Sequence, residues 1–265
     1  MRPREIYPNP PVVLVAVEIR HPTSHPLDPA ATASLKRQLA ATFPLHVPSS
    51  TVTVTRTASG MSQEPPQTWP RYMTRDKTTA VKYRDNAVVV ETTRYEGFTK
   101  LSSLVELALE ARHSVAPIDG VERIGMRYVN EIRVSELHDP ADWTGWIADP
   151  LAAGREIKAP SGLEISIWQG AVVYGAGQGP GAVLRYGTAD GYAFSPDSDL
   201  RRSAPPPGPY FLVDIDSFWV PETETPELET SEVLDRLEQL NDAATDLFEA
   251  SITDRLRKEV FTSDD

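Results

Sequence analysis

The stretch Arg123-Ile-Gly-Met-Arg-Tyr-Val-Asn-Glu-Ile-Arg133 sets three guanidinium groups an even number of residues apart. In an extended chain even spacing means one face. Arg123, Arg127 and Arg133 therefore form a ladder, with Glu131 between the last two. The opposite face carries Ile124, Met126, Tyr128, Ile132 and Val134, interrupted by Asn130. Arginine is the side chain best suited to bidentate binding of a carboxylate or phosphate. Either this face binds an anion, or its arginines pair with acids of the protein itself.

Phe211-Leu-Val-Asp-Ile-Asp-Ser-Phe-Trp219 is the chemical match. Asp214 and Asp216 share one face, with Phe211, Val213 and Ile215 on the other. Two carboxylates at this spacing could hold a divalent cation or work as an acid/base pair. They could equally neutralise Arg123 and Arg127 if the two strands are neighbours, at about 0.2–1 kcal/mol per cross-strand pair. No histidine or third acid clusters nearby, so the ion-pair ladder is the favoured reading.

Other chemistry does not assemble. Gly175-Ala-Gly-Gln-Gly-Pro-Gly181 resembles a phosphate loop in composition, but the chain continues as strand rather than helix, and Pro180 removes a donor. It reads as a flexible loop between strands. His21 and His25 are four apart, but Pro22 and Pro26 forbid the helix that would join them. His46, His113 and His138 stand alone, and no Gly-x-Ser-x-Gly elbow occurs. Beyond the aspartate pair, nothing assembles a recognisable catalytic triad or zinc site; no catalytic residue, metal site or cofactor is expected.

Charge is unevenly spread. Of the chain's net −12, residues 1–213 contribute nothing, with 22 acids and 22 bases; residues 214–265 hold 16 acids against 4 bases. An acidic surface repels phosphate backbones and no long basic stripe compensates, so nucleic acid is not an expected partner. The acids concentrate on a long amphipathic helix. Val233, Leu237, Leu240, Ala244, Leu247 and Ser251 mark its buried stripe. Glu232, Asp235, Glu238, Asp242, Asp246 and Glu249 lie away from it. They are a solvated helix face, or a docking surface for a partner protein with a basic surface. Self-association into a homodimer through the helix is a further possibility.

The 265 residues contain no cysteine, which removes disulfides, cysteine-ligated metals and thiol nucleophiles from consideration and fits a cytoplasmic location. The first apolar run, Val12 to Val17, is too short for a signal peptide or a membrane span. The 24 prolines gather in connecting segments.

The elements that must position these residues read as α+β. A strand over Val12–Arg20 is apolar on both faces until Glu18 and Arg20, as an interior strand would be. Asp28 caps a helix over Ala30–Thr42. A strand follows over Thr51–Thr55, then a polar loop over 60–78. Thr79–Arg84 and Ala87–Thr93 form a hairpin through Asp85-Asn86, with Tyr83 opposite Val88 and Val81 opposite Val90. A helix over Leu101–His113 takes Thr99 or Ser102 as its cap. The long strand spans Glu122–Val134. Further strands are expected over Leu163–Trp168, Ala171–Tyr174, Ala182–Tyr186 and Tyr210–Ile215, with Gln169-Gly170 as a second tight turn. The closing helix spans Ser231–Leu256 and packs across a sheet. Hairpin connections make the sheet mainly antiparallel. Pro140, Pro150 and Pro160 mark a junction between an N-terminal α+β subdomain, 1–137, and a C-terminal subdomain of antiparallel strands and the acidic helix, 138–265.

Several of these motifs together resemble a known group. Tyr7-Pro-Asn-Pro-Pro-Val-Val, Val17-Glu-Ile-Arg20, Arg123 to Asn130, Asp214-Ile-Asp216, Leu240-Asn-Asp and Leu247-Phe-Glu-Ala-Ser-Ile-Thr-Asp-Arg-Leu256 are similar to those of a sporadically distributed family of uncharacterised bacterial proteins about this long. The resemblance implies no activity and no catalytic residues. Its patchy distribution implies horizontally moved genes, such as defence or toxin–antitoxin loci. The first expectation is thus a non-catalytic binding or regulatory protein, an accessory or neutralising component of such a locus. The second is an enzyme or sensor for a small anionic ligand, held by Arg123 and Arg127 with Asp214 or Asp216. The third is a self-assembling structural subunit.

Overall fold

A computed structural model describes residues 7–51, 54–57, 60–63, 67–135, 137, 141–175 and 177–262. Strand β1 (Val12–Arg20) buries Val15, Val17 and Ile19 completely. Asp28 caps helix α1 (Pro29–Leu39), accepting from the Ala31 N–H at 2.7 Å. Pro29 stands at the helix start, where its missing N–H has no partner to lose. Short strands follow: β2 (Leu45–His46), β3 (Ser49–Thr51), β4 (Val54–Thr57), β5 (Gly60–Gln63), β6 (Gln67–Trp69) and β7 (Arg71–Met73). Of the strand expected over 51–55, residues 52 and 53 lie outside the described residues. The polar loop expected over 60–78 is instead largely strand, and Arg71, Tyr72 and Met73 are all buried. Tyr72 meets the Tyr83 ring edge-on and donates to the Thr32 carbonyl at 3.1 Å, while Arg71 donates to Asp199 at 2.9 Å. Tertiary partners outweigh the polar composition there.

Strands β8 (Thr79–Arg84) and β9 (Ala87–Thr92) pair in the expected register, Tyr83 opposite Val88 and Val81 opposite Val90. Helix α2 (Phe98–Val115) starts earlier than expected, after Gly97 at φ +105°, and neither Thr99 nor Ser102 caps it. Strand β10 (Arg123–Ile132) is the long arginine strand. A short helix α3 (Asp149–Ala152) and a 3-10 turn precede the edge strand β11 (Gln169–Tyr174). Two long strands, β12 (Gly179–Gly191) and β13 (Gly208–Val220), complete the sheet. Residues 163–168 are not strand, and Gln169-Gly170 opens β11 rather than turning. The Gly175–Gly181 loop does join two strands, with Ala176 outside the described residues.

Helix α4 (Thr230–Ser251) ends before the expected Leu256. Ile252 leaves the helix to bridge Ile147, and Thr253 restarts it as the cap of α5 (Asp254–Leu256), accepting from the Leu256 N–H at 3.2 Å. A π-helical turn, Arg257–Phe261, follows.

Nine strands form one antiparallel sheet in the order β11-β12-β13-β10-β1-β9-β8-β7-β2. Strands from either side of residue 137 share it, since β10 pairs with β13 along its length. Helices α1, α2 and α4 cover one face. Leu35, Leu39, Val105, Leu109, Val233 and Leu237 pack there against Val17, Ile19, Val88, Val90 and Met126. A second cluster gathers Trp143, Trp146, Trp168, Phe211 and Ile215 beneath the end of α4. Among the described residues no helix is long and apolar enough to cross a membrane.

Tyr7 packs against the segment that ends α4 and follows it. Tyr7 donates to Glu249 at 2.7 Å and accepts from Arg257 at 3.0 Å. Burial, then the bond to Glu249, pushes the Tyr7 phenol from 10.0 up to about 12. The folded state thus holds this proton more tightly than the unfolded chain. Its contribution is whole below about pH 10 and is lost as pH rises through about 12. In alkaline denaturant titrations, Tyr7→Phe is expected to lose less stability than wild type across that window. Equal slopes for the two proteins would rule the contribution out.

Candidate functional site

The face of the sheet opposite the helices carries the charges. Strand alternation puts Glu18, Arg20, Arg84, Arg123, Arg127, Arg185, Asp214 and Asp216 on it. In the register, Arg127 lies directly opposite Asp216, and Arg185 directly opposite Asp214. The ion pairs run diagonally instead. Arg127 grips Asp214 with Nε and Nη2, each at 2.7 Å. Arg123 Nη2 reaches both oxygens of Asp216 at 3.1 and 3.2 Å. The two strands are neighbours, and the aspartates and arginines do pair.

Three details extend the ladder beyond the residues singled out from sequence. Arg185 of β12 approaches Asp214 to 3.8 Å from the side opposite Arg127. The Asp214 side chain is 3% exposed, whereas Arg127 and Arg185 are 50% and 48% exposed. Glu18 is the second hub, contacting Arg20 at 2.6 Å, Arg84 at 3.3 Å and Arg123 at 3.5 Å. Gly125 leaves room for the third contact: a Cβ there would lie 2.2 Å from Arg123 Nη1, so a side chain at 125 would displace the guanidinium from its place across the strand. That group also lies 5.1 Å from the centre of the Phe218 ring. The sum is five guanidinium groups facing three carboxylates, a positive surface on an acidic chain. Hydrogen bonding to Asp214 pushes the Arg127 pKa further up, so its charge is permanent.

Arg133 does not join this group. It lies just past β10, bonding Glu131 at 2.9 Å and the Gly208 carbonyl at 3.1 Å, between the rings of Tyr192 and Tyr210. Glu131 does not bridge Arg127 and Arg133 either. It is buried, and accepts from Arg202 and from the Ala193 N–H, both at 2.8 Å. These bonds pin residues 193–202 as a strap over one end of the open face. Leu200 seals the strap by packing on Met73 and Ala80. Glu18 and Arg20 were visible in sequence as one face of β1. Arg185 and Arg202 carry no local pattern that would mark them, because only strand order brings them in.

The acids of α4 lie opposite its buried Val233, Leu237, Leu240 and Ala244. Glu232, Asp235, Glu238 and Asp246 are exposed and make no ion pair among the described residues. Asp242 is half-buried, and Glu249 is engaged by Tyr7 and Arg257. Among the described residues no three His, Cys, Asp or Glu side chains gather as a metal ion requires. No family model and no curated protein matches the chain.

Proposed function

We propose that this is a non-catalytic binding protein whose open sheet face docks a carboxylate- or phosphate-bearing partner. The supporting observation is the Arg127–Asp214–Arg185 cluster. Two half-exposed guanidinium groups share one buried carboxylate, so a net positive charge and several donors face solvent in a fixed orientation. Such preorganisation lowers the ordering cost of binding. Both oxygens of Asp214 are held by Arg127, which suits anchoring better than base catalysis. A second reading, docking of a basic protein on α4, rests on its four exposed, unpaired acids.

Thermal shift with polyglutamate, polyphosphate and polylysine separates the two. The first reading expects a polyanion to raise the melting temperature; saturation at 100 times Kd adds about 2.7 kcal/mol. Arg127→Gln or Arg185→Gln is expected to weaken that binding about 10- to 100-fold, since a charge-assisted hydrogen bond contributes roughly 1.5–3 kcal/mol. A response to polylysine alone would move the function to α4. Polyanion binding that ignores both substitutions would remove the cluster from it.

A further inference from the structure

The two edges of the nine-stranded sheet are built differently. At one edge β2 has two residues and is followed at once by Val47-Pro48, the short, proline-bounded form that discourages strand addition. At the other, β11 has six residues, Gln169-Gly-Ala-Val-Val-Tyr174, with no charge and no proline. Among the described residues β11 pairs only with β12, leaving its outer row of backbone groups open. Val172, Val173 and Tyr174 are exposed on it, Val173 to 68%. Ile157, Leu163 and Ile167, in the segment leading into β11, are exposed as well. These six are the exposed large hydrophobic side chains among the described residues, and they fall within 18 consecutive positions. An apolar patch concentrated in this way marks an interaction surface rather than scatter.

We infer that β11 is the self-association edge of this protein, pairing antiparallel with β11 of a second copy. Two observations select a second copy as the occupant. The first is charge. The chain carries net −12, yet residues 157–174 contain only Lys158 and Glu164, one of each sign. This is a place where two identical acidic chains meet without opposing like charges, and where each can offer a cation to the other's anion. The second is self-complementarity. A twofold axis at Val172 sets Gly170 opposite Tyr174 and Ala171 opposite Val173, small against large at each step. Tyr186 of β12 already lies across Gly170, so the two Ala171–Val173 pairs on the other face carry the packing at the seam. The twofold runs perpendicular to the sheet. It therefore joins two sheets into one and leaves both arginine faces on the same side.

The test is the mass of the full chain by light scattering, with three variant samples. Wild type is expected at twice the 29.2 kDa chain mass at micromolar concentration. Val173→Lys and Ala171→Glu, both at exposed positions, are each expected to raise the dimer dissociation constant at least tenfold with the melting temperature of the monomer retained. Mixing the two variants is expected to restore dimer, because the register sets Lys at 173 opposite Glu at 171. A monomeric wild type overturns the inference. So does a dimer indifferent to both substitutions, or a mixture that stays monomeric.

Discussion

Glu131→Ala is expected to lower the unfolding free energy by about 3–5 kcal/mol, the range for removing one partner of a buried ion pair. The Glu131 side chain is 2% exposed and Arg202 5%, so the loss strands a guanidinium in the interior rather than returning it to water. Arg133 and the Ala193 N–H lose an acceptor at the same time. Glu131→Gln is expected to cost less, because the amide oxygen still accepts one bond. Replacing both Glu131 and Arg202 by methionine is expected to recover much of the loss, since a buried pair exchanged for apolar side chains is often neutral. Urea unfolding measures all three. Hydrogen exchange over 193–202 adds a local reading, where Glu131→Ala is expected to open the strap first. A loss below about 1 kcal/mol, the net contribution of an ordinary hydrogen bond, would mean that Leu200 alone holds it.

Trp143→Ala is expected to cost a similar amount, about 3–5 kcal/mol, the range for a large aromatic removed from a core. Trp143 is 1% exposed and packs on Phe211 with ring centres 5.4 Å apart, within the cluster that also holds Trp146 and Trp168. The measured quantity is the denaturant midpoint at unchanged slope, which reports stability without a change in the denatured state. If residues 141–160 only linked two halves, the substitution would fall within about 0.5 kcal/mol, as surface changes do. Against a total stability of about 5–15 kcal/mol, either variant removes a large share.

The two predictions illustrate what the sequence shows and what it hides. Alternation in β10 and β13 placed Arg123, Arg127, Asp214 and Asp216 on shared faces, and side-chain periodicity is local information. The hairpin register was legible for the same reason, since Asp85-Asn86 fixes it within a few residues. The hubs were not legible. Glu18 meets Arg84 and Arg123 only because β1 lies between β9 and β10, and Arg185 meets Asp214 only because β12 adds beyond β13. Polar composition concealed β7, whose buried Arg71 pairs with Asp199, 128 residues away. Proline content suggested a junction over 137–160 and gave no sign of its core tryptophan. At the end of α4 the apolar repeat runs on toward Leu256, whereas the Thr253 cap that restarts the helix depends on Ile252 leaving it to bridge Ile147.

The strand order also governs how the chain reaches this state. β1 is the middle strand, yet its partner β10 lies more than 100 residues further along the chain, and β10 in turn awaits β13. The three central pairings, β9 with β1, β1 with β10 and β10 with β13, join distant segments, the arrangement that makes folding slow. As the polypeptide leaves the ribosome, the bare edge of β1 stands open while β10 is made, and the edge of β10 stands open until β13 follows. A valine-rich strand left unpaired for that interval is the point at which a nascent chain is most exposed to chaperones and to its own neighbours.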